Sequence, residues 1–117
     1  VCGDSLNNSI AAQLFITKLR VLLDKNRVIF DPRNHKTQDF LLREDMTVDD
    51  VFEYLKRLEP SHYYDGPKND RNGSHGDVMM FLYPYNKTRI YIKLKIWTDE
   101  NGDSGVVISF HEEGEYD

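Results

Sequence analysis

The chain has 117 residues, 39% of them hydrophobic, enough for one core and too few for two ordinary domains. Twenty acidic against fifteen basic side chains leave a formal net charge of −5, so nucleic acid is not attracted by total charge. No apolar run reaches the roughly 18 residues of a membrane span and no signal-peptide pattern opens the chain, so a soluble protein acting in the cytoplasm, with no membrane contact, is expected.

Charge is unevenly distributed. Residues 1–38 carry six basic and three acidic side chains, 39–65 three and eight, 66–97 six and two, and 98–117 none and seven. With screening beyond about 8–10 Å, the local basic surplus of the central loop and strands counts for more than the total. The single cysteine, Cys2, excludes an internal disulfide and a cysteine-based zinc site and reads as an incidental thiol. One domain over 1–117 is expected, with 1–8 a flexible N-terminus and 112–117 an acidic tail.

Ser9 stands where an N-cap would, and Ile10, Leu14, Leu19, Leu22 and Leu23 form an apolar stripe to about Lys25, which predicts an amphipathic helix. Arg27 to Phe30 reads as a short strand stopped by Asp31-Pro32, and Thr37 is the expected cap of a brief helix holding Phe40, Leu41 and Leu42. Thr47, with Asp49 and Asp50 in the first turn, starts a helix whose Val48, Val51, Phe52 and Leu55 recur at three and four, ending before Pro60. Ser61 to Gly76 has no period and many turn formers, so it reads as a long loop whose aromatic and basic content favours function.

Asp77 to Tyr85 predicts a strand and Asn86-Lys87-Thr88 a turn. From Arg89 to Trp97 the residues alternate, with Ile90, Ile92, Leu94 and Ile96 facing one way and Arg89, Tyr91, Lys93, Lys95 and Trp97 the other. Asp99 to Gly105 is a hairpin turn, with Asn101-Gly102 as its signal. Strict alternation in the last strand then puts Val106, Ile108 and Phe110 in the core and Ser109 and His111 beside Tyr91, Lys93 and Lys95. The predicted architecture is α+β: N-terminal helices on one face of a small antiparallel sheet that ends in a three-stranded meander.

That polar face holds the parts that metal-free RNA cleavage requires. The reaction needs one group to deprotonate the 2′-hydroxyl, one to protonate the 5′-leaving oxygen, and cations for the phosphorane. His111 titrates near neutrality, Lys93 holds the phosphate, and Tyr91 donates a hydrogen bond or stacks a base, which makes these three the catalytic candidates. Lys95, Ser109 and Arg89 on the strands, with Lys68, Arg71 and His75 in the loop, are the substrate-binding candidates. His35 and His62 are expected to matter less. The competing interpretation is an exposed strand face whose Lys and Tyr side chains only keep the sheet soluble.

His62, Asp65, Asp70, His75, Asp77 and His111 have no paired ligand spacing, so neither a metal nor a cofactor is expected.

From about residue 45 to 112 the chain resembles the MqsR family of bacterial toxins. The likeness rests on Leu58-Glu-Pro-Ser-His-Tyr-Tyr64, Gly76-Asp-Val78, Ile90-Tyr-Ile-Lys-Leu-Lys95 and Val107-Ile-Ser-Phe-His111. The resemblance implies a RelE-like fold and a ribosome-independent endoribonuclease restrained by an antitoxin. By the same resemblance Tyr91 falls on the family's active-site tyrosine, and His111 falls where better-known members have a basic lysine. The family's other lysine falls near Asp65 and its glutamine near Gly76, so Lys68, Arg71 or His75 is expected to substitute. A related expectation is the toxic C-terminal domain of a contact-dependent or polymorphic toxin, with an immunity protein as partner; a chain beginning at Val1 suits an excised piece. A different class is a non-catalytic binding module, such as an immunity or antitoxin-like protein, using the acidic helix and tail for contact.

Overall fold

In a computed structural model of the protein, residues 2–69 and 76–114 are described, the side chains of 2–8 and 69 excepted. The first helix, α1, spans Cys2–Asp24, so Ser9 lies inside it and does not cap it. Ala12, Phe15, Ile16, Leu19 and Leu22 are buried at helical spacing, and Leu23 packs partly against the core. Ile10 and Leu14, expected in the same stripe, are exposed on the opposite side.

The second helix, α2 (His35–Arg43), begins one turn before the expected cap. Asn34 is its N-cap and accepts the Thr37 N–H through Oδ1 at 3.1 Å. Thr37 is instead an interior residue, 1% exposed, whose hydroxyl accepts the Phe110 N–H at 2.9 Å. The third helix, α3 (Val48–Lys56), starts at Thr47 as expected, with a capping box. The Thr47 hydroxyl accepts the Asp50 N–H at 3.2 Å, and the Asp50 carboxylate accepts the Thr47 N–H at 2.9 Å. Tyr85 donates to Glu44 just past α2 at 2.7 Å, and this bond, ahead of burial, pushes the phenol pKa up to about 12.

Five strands form one sheet among the described residues: β1 (Val28–Phe30), β2 (Tyr63–Asn69), β3 (Asp77–Tyr85), β4 (Thr88–Asp99) and β5 (Gly102–Glu112), in the order β1-β5-β4-β3-β2. The fold is α+β, but the sheet is mixed: β1 runs parallel to β5, and only β2 to β5 form an antiparallel meander. Local pattern cannot reveal that pairing, because β1 and β5 are joined through most of the chain.

The hairpins are tighter than expected. Asn86, at a φ of 52°, and Lys87 alone link β3 to β4, whereas Glu100 and Asn101 alone link β4 to β5.

Strict alternation also fails once. Lys93 pairs with Ser109 and Leu94 with Val107, which leaves Ile108 as a bulge. Val107 and Phe110 therefore both enter the core, and Val106 and Ile108 do not. The helices bury their apolar residues against Ile90, Ile92, Leu94, Ile96, Met79, Phe81, Val107 and Phe110. Among the described residues no helix is long and apolar enough to cross a membrane.

Part of the predicted loop is the edge strand β2. Its register against β3 shifts twice, between Tyr63 and Asp65 and between Asp65 and Lys68, around Gly66-Pro67. Gly66 has a φ of +106°, and a Cβ there would stand 2.6 Å from the Val78 carbonyl oxygen. Gly66→Ala is expected to cost about 1–3 kcal/mol, through strain and steric conflict together, as a lowered urea midpoint.

Burial pushes the His62 pKa below its ordinary 6.5, against the opposing charge of Glu59. Its Nδ1 accepts the Glu59 N–H at 3.0 Å, which needs that nitrogen unprotonated. A depressed pKa favours the neutral folded form. The stabilisation is therefore complete above about pH 6.5, shrinks below it as the unfolded chain takes up the proton first, and levels off below the folded-state pKa. Urea titrations from about pH 8 to about pH 5 should show this loss in the parent and a flatter profile in His62→Gln.

Candidate functional site

The face of the sheet turned away from the three helices carries the polar constellation. Tyr91 pairs directly with His111 and Lys93 with Ser109, so cross-strand neighbours bring a phenol, an imidazole, an ammonium group and a hydroxyl into adjacent rows. In β3 the residues opposite Tyr91, Lys93 and Lys95 are Leu82, Met80 and Val78, all buried yet outside the main core cluster. The face is thus a strip of apolar side chains flanked by Lys and Tyr.

An aromatic series crosses it. The Tyr91 and His111 ring centroids lie 5.3 Å apart at 36°, and the Tyr64 ring meets Tyr91 edge-on at 6.3 Å and 80°. Tyr64 is 47% exposed and Tyr91 half-buried, whereas His111 is only 2% exposed. An imidazole open to substrate at a strand end was expected. The structure instead buries it beside Tyr91, with Nδ1 3.1 Å from the Glu112 carbonyl oxygen.

Lys95 is also buried, at 9% exposure, and its path depends on Gly76. A Cβ on Gly76 would stand 2.7 Å from Lys95 Cε and 3.0 Å from both the Ile96 carbonyl oxygen and Trp97 Cβ, at a φ of +133°. The space that a side chain at 76 would fill is occupied by the Lys95 arm. Ser109 is engaged too: its hydroxyl accepts from Asn34 Nδ2 at 3.0 Å.

The peripheral cations have carboxylate partners from the same chain. Lys68 lies 2.7 Å from Asp65, and that bond holds the Asp65 carboxyl below its usual range. Arg89 is gripped by Glu113, which accepts from Nε at 2.8 Å and from the terminal nitrogen at 2.5 Å. The start of the acidic tail thus folds back onto a residue expected to contact substrate. Arg71 and His75 lie outside the described residues, as does Asp70.

The structure therefore brings Tyr91, Lys93, Lys95, Ser109 and His111 together, with Arg89 at one margin and Lys68 on the edge strand. Sequence reasoning missed Tyr64, because the segment around Gly66-Pro67 reads as a loop; the Tyr63-Tyr64 pair was its one strand-like signal. His62 stands apart against Tyr83, with ring centroids 4.7 Å apart. Among the described residues no three His, Cys, Asp or Glu side chains group as a metal site. A cleft of about 330 Å³ lined by Leu23, Asn26, Asp49, Phe52, Glu53 and Lys56 lies on the helical side, away from this constellation. No protein family, curated protein or solved structure matches the chain.

Gly76→Ala is expected to drive the Lys95 arm from its course and to cost about 1–3 kcal/mol in a urea titration. Since Lys95 Cε is the nearest atom, the penalty should be smaller in a Lys95→Ala background, and a double-mutant cycle measures the difference.

Proposed function

We propose that the protein is a metal-independent endoribonuclease of RelE-like fold that cuts single-stranded RNA in the cytoplasm and is held in check by a protein partner, an antitoxin or an immunity protein. The observation that carries this reading is the register that seats Tyr91 on His111 and Lys93 beside Ser109, on a sheet face to which no helix contributes its buried apolar side chains. The resemblance to MqsR-family toxins points the same way.

On this reading the 2′-oxygen attacks the adjacent phosphorus and the bond to the 5′-oxygen breaks, leaving a 2′,3′-cyclic phosphate and a 5′-hydroxyl. Lys93 stands where its ammonium offsets charge building on the phosphorane. Tyr91 is the half-exposed group that meets the reacting atoms. Between them Tyr91 and the His111 imidazole behind it take the 2′-hydroxyl proton and return one to the departing 5′-oxygen, while the Glu112 carbonyl accepts from Nδ1. Tyr64 extends the platform for an unpaired base, since exposed aromatic rings stack bases of any sequence.

A second reading, the non-catalytic binding module, is favoured by the burial of His111 and by the carboxylates that already engage Lys68 and Arg89.

Incubating the protein with single-stranded RNA in chelator, and analysing the ends, separates the two. Cleavage with cyclic-phosphate ends is the expected result; intact RNA at excess protein leaves the binding module standing. His111→Phe, which keeps a ring against Tyr91, should lose about 10²–10⁴-fold in rate with the urea midpoint retained. Full activity in that variant would reduce His111 to packing. Lys93→Ala should lose about 2–4 kcal/mol of transition-state stabilisation, by analogy with the removal of one oxyanion donor.

A further inference from the structure

We infer that the solvent side of α1 is a docking surface for an acidic amphipathic helix of a partner protein. The inference stands on its own observations and does not depend on ribonuclease activity.

On α1 the buried residues Ala12, Phe15, Ile16, Leu19 and Leu22 form one face. Ile10, Leu14, Thr17 and Val21 lie diametrically across the helix, within about 60° of one another at 3.6 residues per turn. Ile10 is 48%, Leu14 62% and Val21 46% exposed. The Thr17 hydroxyl donates to the Gln13 carbonyl at 2.8 Å, so its polar atom is engaged within the helix. The four residues follow one another at spacings of four, three and four, which is the seam spacing of paired helices. From Ile10 to Val21 the seam is about 17 Å long, three turns of a partner helix.

Charge identifies the occupant. Lys18 and Lys25 flank the seam on one side; on the other lie Asp24 and Arg20, whose guanidinium donates to the Leu58 carbonyl at 2.8 Å. Across residues 9–25 there are three basic side chains and one acidic, in a chain that is acidic as a whole. A second copy offers a single carboxylate along this stretch, Asp24, against three cations. Antiparallel pairing sets Lys18 and Lys25 against themselves, and parallel pairing sets the two lysines against a flank whose one carboxylate is offset by Arg20. A helix with apolar residues at three-and-four spacing and carboxylates on the flank that meets Lys18 and Lys25 matches the seam and its charges together.

The test uses two synthetic helical peptides about three heptads long. Both carry the same Leu seam, one with Glu and the other with Lys on both flanks, and each is titrated into the full chain by fluorescence anisotropy. The Glu peptide should bind at least about tenfold more tightly, with the gap narrowing as salt rises. Leu14→Glu should weaken Glu-peptide binding about tenfold or more at an unchanged urea midpoint. Lys18→Glu combined with Lys25→Glu should reverse the preference toward the Lys peptide. Equal binding of the two peptides overturns the inference, as does Leu14→Glu with full affinity. A dimer in sedimentation equilibrium that Leu14→Glu dissolves also overturns it, because the occupant would then be a second copy.

Discussion

The pairing of β4 with β5, and the bulge at Ile108 within it, sets the position of nearly everything else. Leu94 against Val107 and Lys93 against Ser109 cannot both hold in a regular ladder, since one residue of β5 has no opposite number. The extra residue reverses the parity of the strand. On one side of the bulge Val107 fills the core, and on the other Phe110 does the same three residues later. The same reversal directs Ser109 and His111 to the outer face, where Lys93 and Tyr91 await them. A single inserted position thus satisfies the core and assembles the polar site, which is how bulges re-aim side chains beside functional surfaces.

That arrangement depends on how the free edge of β5 is covered. Parallel β1 pairs only from Gly105 to Val107. Beyond it, the start of α2 takes over: Thr37 receives the Phe110 N–H, and Asn34 donates to the Ser109 hydroxyl and, at 3.4 Å, to the Ile108 carbonyl. Because β1 ends at Val107, this edge of β5 would otherwise lack these partners next to the core. Asn34 does two things at once, capping α2 with its oxygen and supporting the bulge with its nitrogen. The helix is therefore anchored to the sheet by hydrogen bonds at its N-terminus and by Phe40 against Phe110 further along.

How much of this was legible in the sequence follows from the range of each signal. The alternation of Ile90 to Ile96 and the start of α3 at Thr47 are local and were readable. The company of Tyr91, Lys93, Ser109 and His111 was readable too, although the route to it was partly mistaken. A strict period places Ser109 and His111 correctly from the C-terminal end, yet assigns Val106 and Ile108 to a core they do not enter. A bulge leaves no residue signature when its extra member is an isoleucine. β2 was hidden by Gly66 and Pro67, which mark a loop in most contexts but here accommodate an irregular edge strand. The split of α1 into two apolar faces escaped a reading that joined Ile10 and Leu14 with Leu19, Leu22 and Leu23 in one stripe. The burial of His111 was illegible because it depends on tertiary neighbours such as Tyr91 across the strand pair.

The two carboxylate pairs at the margin of the sheet face have a different standing from the contacts at its centre. Lys68 with Asp65 and Arg89 with Glu113 are partly exposed, and pairs of that kind contribute only about 0–1 kcal/mol. The two non-bridging oxygens of a phosphodiester would offer Arg89 the same fork geometry that Glu113 supplies, so exchange of one anion for the other would lose no hydrogen bond at the guanidinium. Such pairs hold long cationic side chains in place without committing them. At the centre, by contrast, Lys95 lies along Gly76 and His111 lies beneath its neighbours, where any displacement disturbs packing. The margin of the face thus holds its cations loosely and its centre holds its groups rigidly, a division that the ribonuclease proposed above would need if its binding groups are to release a polyanion while its reacting groups keep their positions.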